Sequence, residues 1–222
     1  DMLVINGVDS QTNSHETGKL YNWTGSNAEG RPSLSALFAA AQSPKQPLAY
    51  SVFDGFSRTA GLIGYNRFDD LSNMGALIRP NVDPWSGGVK RAESDVIRSQ
   101  QLVQDGVQSL LLQPNLSVRQ RQSALRFVEA RDGREGLQRL AELVPAEEDI
   151  QRREDFTAGG MTFSSNLKQQ MQGSLLVFKS GLGSAADLAL DGFDSHDIHD
   201  PVSETLLAHF ADAVHFFWDY AQ

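Results

Sequence analysis

The sequence contains no cysteine, which excludes disulfide bonds, thiolate zinc sites and a cysteine nucleophile. Basic side chains are also scarce, because 19 lysines and arginines stand against 28 acidic residues and the net charge is −9. No basic run exceeds two residues, so the chain lacks the positive surface on which general nucleic-acid binding depends. No stretch of about 18 apolar residues occurs, and we therefore expect no membrane-spanning helix.

The chain has enough apolar residues for one core. Of its 222 residues 40% are hydrophobic, and we expect a single α/β domain over residues 1–222. The first residue is Asp1, and a strand-like run follows at once. Because a natural cytosolic chain usually begins with Met, we expect an upstream segment, either a signal peptide or more of the domain.

Hydrophobic patterns predict strands that alternate with helices. Buried apolar runs predict strands at 2–8, 48–53 and 185–190. Helical spacing of apolar residues predicts helices at 32–42, 92–113, 117–143, 163–180 and from 201 onward. This alternation favours a mainly parallel sheet covered by helices on both faces, with 92–160 as a helical insert.

The remaining segments are predicted to be loops. Residues 11–30 are polar and glycine-containing, and 147–160 is interpreted as a connector. Residues 54–88 have no sustained period and are predicted to be a long loop with short elements, a kind of segment that is usually functional. Two apolar helix faces are predicted, and their members are Leu34, Leu37, Phe38 and Ala41 in the first and Leu206, Leu207, Phe210, Val214 and Phe217 in the last.

The segment after the third predicted strand concentrates carboxylates and imidazoles, among them Asp194, His196 and His199. Such ligands together suit zinc, manganese or iron. On an extended segment Asp194 and His196 point the same way, and His199 joins them if the chain turns in between. Because ligand sites of α/β proteins lie beyond the carboxyl ends of strands, this segment is a candidate metal site. The alternative is a polar loop in which Asp194 or Asp200 caps the last helix.

A second polar segment follows the first predicted strand and contains Ser14 and His15. Ser14 is a candidate nucleophile, with His15 as a base or a ligand beside it. Adjacent side chains seldom face each other, so we expect Ser14 or His15 to share a site with residues 194–199 rather than to form a dyad. The alternative is a plain turn built from Asn, Ser and Thr residues.

Both segments resemble motifs of a known family. Residues 192–196, Gly-Phe-Asp-Ser-His, look like the Gly-Trp/Phe-Asp-Thr-His motif of the bacterial domain-of-unknown-function family 1501. Residues 13–15, Asn-Ser-His, and the Tyr-Asn-Trp-Thr-Gly at 21–25 are similar to that family's Arg-Ser-His segment and the Asp-x-Trp-x-x-Gly after it. The order of predicted strands and helices also agrees, and the resemblance covers most of the chain.

The resemblance implies a three-layer α/β/α fold of the alkaline-phosphatase and sulfatase superfamily, with a metal site of the two-metal phosphohydrolase type. It implies metal binding by Asp194 and His196, and it places Ser14 near the nucleophile's position with His15 beside it. Members are commonly exported by the twin-arginine route, which implies a periplasmic or secreted protein. The family also has an acidic ligand segment upstream and a further strand downstream. Residues 1–222 contain neither, so we expect the rest of the domain or a partner chain to complete the sheet.

Two functions are consistent with these features. The first is an exported hydrolase of small phosphate or sulfate esters that depends on zinc, manganese or iron, in which Ser14, Asp194 and His196 converge. The second is a non-catalytic exported binding or assembly protein that keeps the fold. In the second case we expect Asp194 to cap the last helix and Ser14 either to lie far away or to bond to the backbone. We also expect the exposed aromatic residues of 216–220 to pack on a partner.

Overall fold

The computed structural model describes residues 9–53, 56–69, 71–83, 86–132, 134–194 and 198–222. The helices are α1 His15–Thr24, α2 Leu34–Gln42, α3 Leu71–Ile78, α4 Glu93–Leu111, α5 Val118–Asp132, α6 Arg134–Leu143, α7 Leu167–Lys179 and α8 His199–Ala221. The strands are β1 Tyr50–Phe53, β2 Asn66–Phe68, β3 Glu154–Ala158, β4 Met161–Ser165 and β5 Ala185–Asp187. The strand predicted at 2–8 lies outside the described residues.

A three-stranded parallel sheet lies at the centre of the fold, and its strand order is β2-β1-β5. Ser51 of β1 pairs with Asn66 on one side and with Ala186 on the other. The chain is thus a mixed α/β protein, as the alternation of strands and helices predicted. The strand predicted at 185–190 is shorter than expected, because from Leu188 onward the backbone turns away from β1 and bonds to a side chain of α7.

Alternate side chains of β1 enter two different cores. Tyr50 and Val52 pack with Ala36 and Ala39 of α2 and with Ala185. Phe53 points the other way and joins a larger core. Other members of that core are Leu48, Phe68, Leu71, Met74, Leu140, Leu176, Val177 and Leu182. Helices therefore cover both faces of β1, with α2 on one side and α7 on the other.

Helix α2 buries a different face from the one its large apolar residues predicted. Leu34, Leu37 and Phe38 are 78%, 48% and 49% exposed, whereas Ala36 and Ala39 are fully buried. The bulk at this contact comes from the strand, since Tyr50 points toward α2. Small alanines let the helix approach it closely, which explains why the larger residues remain outside.

A β-hairpin occupies the segment that was interpreted as a connector and the start of a helix. Strands β3 and β4 pair antiparallel, with Phe156 opposite Phe163, and α7 begins only at Leu167. Gly159 and Gly160 form the two-residue turn, and their φ angles of 57° and 80° are the positive values that a type I′ turn requires. The Gly-Gly pair between alternating apolar residues was the sequence signal for this hairpin.

The loop prediction at 11–30 is wrong in part, whereas the short elements predicted within 54–88 are present. The first contains α1, which Ser14 caps at its start and Gly25 ends in the left-handed conformation at φ 68°. The second contains β2 and α3. The sequence of α1 has no apolar face that would have predicted a helix, because Leu20 is its only buried residue.

The predicted apolar face of the last helix is confirmed in part, since Leu206 is fully buried and Val214 and Phe217 pack against a buried cluster. Val202, Leu206 and Ala213 are fully buried, whereas Leu207 and Phe210 are 57% and 36% exposed. The reason is the hairpin, which the sequence interpretation did not include. Val202 and Leu206 pack on Ala158 of β3, and this contact sets the rotation of the helix. None of the helices in the ranges given above is long and apolar enough to cross a bilayer.

Candidate functional site

The structure brings together two of the residues that the sequence singled out, His15 and Asp194. His15 is the first residue of α1, and Asp194 lies beyond the carboxyl end of β5. The His15 Nε2 atom is 3.7 Å from Oδ2 of Asp194. Both side chains are more than half exposed, at 64% and 57%, so the pair is accessible from solvent.

Ser14 occupies the N-cap position of α1. Its Oγ accepts a hydrogen bond of 3.4 Å from the backbone N–H of Thr17, and its own N–H donates to Oγ1 of Thr12. The Ser14 hydroxyl is therefore held at the positive end of a helix, next to His15.

A polar pocket of about 320 Å³ opens at this helix end. Its lining includes Thr12, Asn13, Ser14, His15, Lys19 and Asn22. Hydroxyl, amide and imidazole groups and one ammonium therefore converge on this space. Donors and a positive charge are suited to an anionic ligand.

The other two predicted metal ligands are His196 and His199. His196 lies in 195–197, outside the described residues. His199 begins α8, and its Nδ1 is 3.4 Å from Oγ of Ser203. In the ranges with assigned positions, no three His, Asp or Glu side chains are grouped as ligands of one ion.

Neither acidic residue occupies the predicted capping position of the last helix. Ile198 is at the N-cap of α8 and offers no side-chain acceptor, while Asp200 lies one step inside the helix, in its first turn. There the Asp200 carboxylate complements the positive end of the helix without serving as the cap.

A buried glutamine holds the segment that leads from β5 to Asp194. The side-chain amide of Gln170 donates to the carbonyl of Ala189 at 3.0 Å, and its carbonyl accepts from the N–H of Ala189 at 2.9 Å. Asn166 accepts a further hydrogen bond of 2.7 Å from the same amide. Gln170 is 2% exposed, so these bonds form in the interior and fix the path of the chain after β5.

We expect Gln170→Met to lower the free energy of unfolding by about 1–2 kcal/mol, because the two Ala189 groups lose their partners and are only partly buried. Gln172 provides a parallel case, since its side chain makes an equivalent pair of hydrogen bonds to the backbone of Asp149 and Gln151 on the other side of α7. Gln172→Met should cost a similar amount. Urea unfolding of both variants checks this, and a Gln170→Met variant as stable as wild type would contradict it.

The sequence interpretation missed a buried carboxylate at the end of β5. Asp187 is 2% exposed and accepts a hydrogen bond from the hydroxyl of Tyr50. Burial raises the pKa of the Asp187 carboxyl above its ordinary range, while hydrogen bonds from Ser35 and Tyr50 oppose that rise. An acid in the otherwise apolar run 185–190 was the signal that this position has a specific partner.

A second polar cluster joins the hairpin to α8. Lys168 Nζ lies 2.9 Å from Glu154 Oε1 and 2.6 Å from Asp212 Oδ2. The ring of His209 stacks on Phe156 at 4.6 Å, and its Nδ1 is 3.7 Å from Glu154. Lys168 lowers the pKa of Asp212 through their hydrogen bond. These contacts join three elements, which is a structural role.

No protein-family model, curated protein or solved structure matches this chain. The resemblance to family 1501 thus rests on the short motifs around residues 14 and 194.

Proposed function

We propose that this chain is an exported, metal-dependent hydrolase of small phosphate or sulfate esters, with the three-layer alkaline-phosphatase-like fold that its motifs imply. One observation carries the proposal. His15 and Asp194 come from opposite ends of the chain and meet at 3.7 Å, next to the hydroxyl of Ser14.

The spacing of His15 and Asp194 is consistent with a shared divalent ion. At 3.7 Å the two atoms are too far apart for a hydrogen bond. Two ligands that each lie about 2.0–2.1 Å from one tetrahedral zinc ion are about 3.4 Å apart. Imidazole and carboxylate are also donors that zinc, manganese and iron accept. His196 and His199 are proposed as further ligands.

A bound divalent ion supplies Lewis-acid polarisation of an ester oxygen. The chain's own groups are proposed to do the rest. Lys19 and the N–H groups at the start of α1 hold the anionic ester in the pocket. Ser14 Oγ gives its proton to the solvent, which reaches this exposed site, and forms the bond to phosphorus or sulfur. The ester bond breaks, and the leaving oxygen takes a proton from water and departs as the alcohol. Water then attacks phosphorus or sulfur, breaks the bond to Ser14 Oγ and releases phosphate or sulfate.

The test is metal content together with ester hydrolysis, measured on the chain purified without chelator. We expect near-stoichiometric zinc, manganese or iron in the wild type and its loss in His15→Ala and Asp194→Ala. His215→Ala is the matched control, because His215 also lies near a carboxylate, that of Asp219, but on the exposed surface of α8. It should keep the metal.

Ser14→Asn removes the proposed nucleophile but keeps the helix cap, since Asn caps a helix about as well as Ser does. It should retain metal but lose hydrolysis of p-nitrophenyl phosphate and p-nitrophenyl sulfate by about 100-fold or more. A folded wild type without metal, or a Ser14→Asn variant with full activity, would overturn the proposal.

A second candidate function is a non-catalytic binding or assembly protein. Two observations favour it. Ser14 accepts a backbone hydrogen bond, and the apolar face of α2 formed by Leu34, Leu37 and Phe38 is exposed. The aromatic residues of 216–220 favour it less than expected, because Phe216 and Phe217 pack on the core beside α7 and Trp218 is 44% exposed. Absence of metal and of esterase activity in a folded chain would support this second function.

A further inference from the structure

A larger cavity lies away from the residues of the proposed active site. Its volume is about 730 Å³, within the range of small-molecule sites in proteins. Its walls come from α3, from residues 79–83 together with Gly87, and from the segment at 144–152, with Gln169 of α7. Neither His15 nor Asp194 borders it. The first two of these walls belong to 54–88, the stretch that the sequence predicts to be functional. The proposed hydrolase mechanism assigns no role to that stretch.

The walls of the cavity are ordered by local bonds. Val82 and Val89 form an antiparallel bridge, and Asp83 accepts hydrogen bonds from the backbone N–H and the hydroxyl of Ser86. On the opposite wall, Gln172 of α7 holds both Asp149 and Gln151. The cavity is therefore a preformed space between two fixed segments.

The chemistry of the lining is apolar with two guanidinium groups. Leu71 is 8% exposed, and Val144 and Ile150 pack against the same core. Arg79 and Arg152 also line the space, and within the described ranges neither side chain forms a hydrogen bond or ion pair. The carboxylate of Glu147 is also in the lining, while that of Asp83 is engaged by Ser86. The chain as a whole carries a net charge of −9, so two arginines without a bonding partner in the described ranges give this cavity an unusual local concentration of positive charge.

We propose that this cavity binds a small amphiphilic anion, with its apolar part on Leu71, Val144 and Ile150 and its acidic group on Arg79 and Arg152. Guanidinium groups pair well with carboxylates, because their planar N–H donors match the two oxygens of a carboxylate. The apolar floor supplies affinity that does not depend on charge. The site is independent of ester hydrolysis.

The test is calorimetric titration with decanoate, and with decanol and decyltrimethylammonium as probes of equal chain length. We expect decanoate to bind at least tenfold more tightly than either. Arg79→Gln and Arg152→Gln should each weaken decanoate binding about tenfold, because each removes a charge-assisted hydrogen bond. Arg98→Gln is the matched control, since Arg98 is exposed on α4 and does not line the cavity.

Gly75→Leu provides a variant that blocks the cavity. A Cβ atom added at Gly75 meets no atom within 4 Å, and the residue lines the cavity, so we expect the leucine side chain to extend into that space. It should abolish decanoate binding, whereas Gly106→Leu, an equally open helix position on α4, should not. Equal binding of decanol and decanoate, binding that survives Gly75→Leu, or no binding by the wild type would each overturn the proposal.

Discussion

Replacing Gly183 by alanine is expected to lower the free energy of unfolding by about 3 kcal/mol or more, because the added methyl has no space. A Cβ atom at this position would overlap the carbonyl oxygen of Leu48 and would lie 2.8 Å from Cγ1 of Val177. The Leu48 oxygen belongs to backbone that is itself bonded to this segment, since Leu48 N–H donates to the carbonyl of Leu182 at 3.1 Å. The clash can be relieved only by separating the two segments that lead into β1 and β5.

Gly106→Ala is the matched control for Gly183→Ala, since Gly106 lies in the exposed α4 and its added methyl meets nothing within 4 Å. It should raise stability by about 0.5–1 kcal/mol, because alanine favours a helix more than glycine does. Chemical unfolding followed by circular dichroism measures both changes. A Gly183→Ala variant that unfolds at the same denaturant concentration as wild type would show that the close approach is not required.

The sequence predicts those elements that depend on local pattern. The helical spacing of apolar residues found α4, α5, α7 and α8, and the apolar run at 48–53 found β1. The prediction from pattern failed where a segment fits both the helical period of about 3.6 residues and the strand period of two residues. Phe163 fits the apolar face of a helix that continues into α7, and it equally fits the inward face of a hairpin strand. The turn residues Gly159 and Gly160 resolve that choice, and they are where the strand interpretation should have begun.

Tertiary contacts explain what no local pattern predicts. The leucines of α2 form a clear apolar face, and yet the alanines are buried, because Tyr50 leaves room only for a small residue. The local sequence predicts only that Gly183 lies near the end of a helix. Its actual role is to allow the close approach of Leu48, which is distant in sequence. Both outcomes depend on the partner surface, and one element's sequence does not contain that information.

The candidate site was partly predictable for a topological reason. Parallel strands place their carboxyl ends at one edge of a sheet, so a polar segment after β5 is a sound candidate for a ligand site. That rule indicated Asp194 and the expected approach of His15. It did not indicate Asp187, because Asp187 lies within β5 and not beyond its end, and its partner Tyr50 is distant in sequence.

Tyr50→Phe is expected to lower the free energy of unfolding by about 2–3 kcal/mol at neutral pH, because a buried carboxylate loses a donor. Tyr50 is fully buried, and its hydroxyl donates to Asp187 and lies 3.4 Å from Oγ of Ser33. Burial, followed by the hydrogen bond to Asp187, raises the pKa of the Tyr50 hydroxyl, so it keeps its proton and remains a donor. Tyr65→Phe is the matched control, since Tyr65 is 49% exposed, and it should cost little.

The cost of Tyr50→Phe should depend on pH, and the direction follows from Asp187. Because burial raises the pKa of Asp187 above its ordinary 3.8, the folded chain holds this proton more tightly than the unfolded chain does. The contribution of Asp187 to stability is therefore complete below about pH 3.8 and declines as pH rises through the folded pKa. The Tyr50 hydroxyl stabilises the ionised form and limits that decline. Its loss should thus cost most above this window and least below it.

Asp187→Asn provides the background that tests this coupling between charge and donor. Asparagine keeps an acceptor for Tyr50 but does not ionise, so Tyr50→Phe in this background should cost about 1 kcal/mol at every pH. Urea unfolding of the four combinations from about pH 4 to pH 8 measures the coupling as a double-mutant cycle. A deficit of Tyr50→Phe that stays constant with pH in the wild-type background would contradict the assignment. It would show that the packing of the tyrosine ring, and not its bond to a buried carboxylate, fixes the end of β5 against β1.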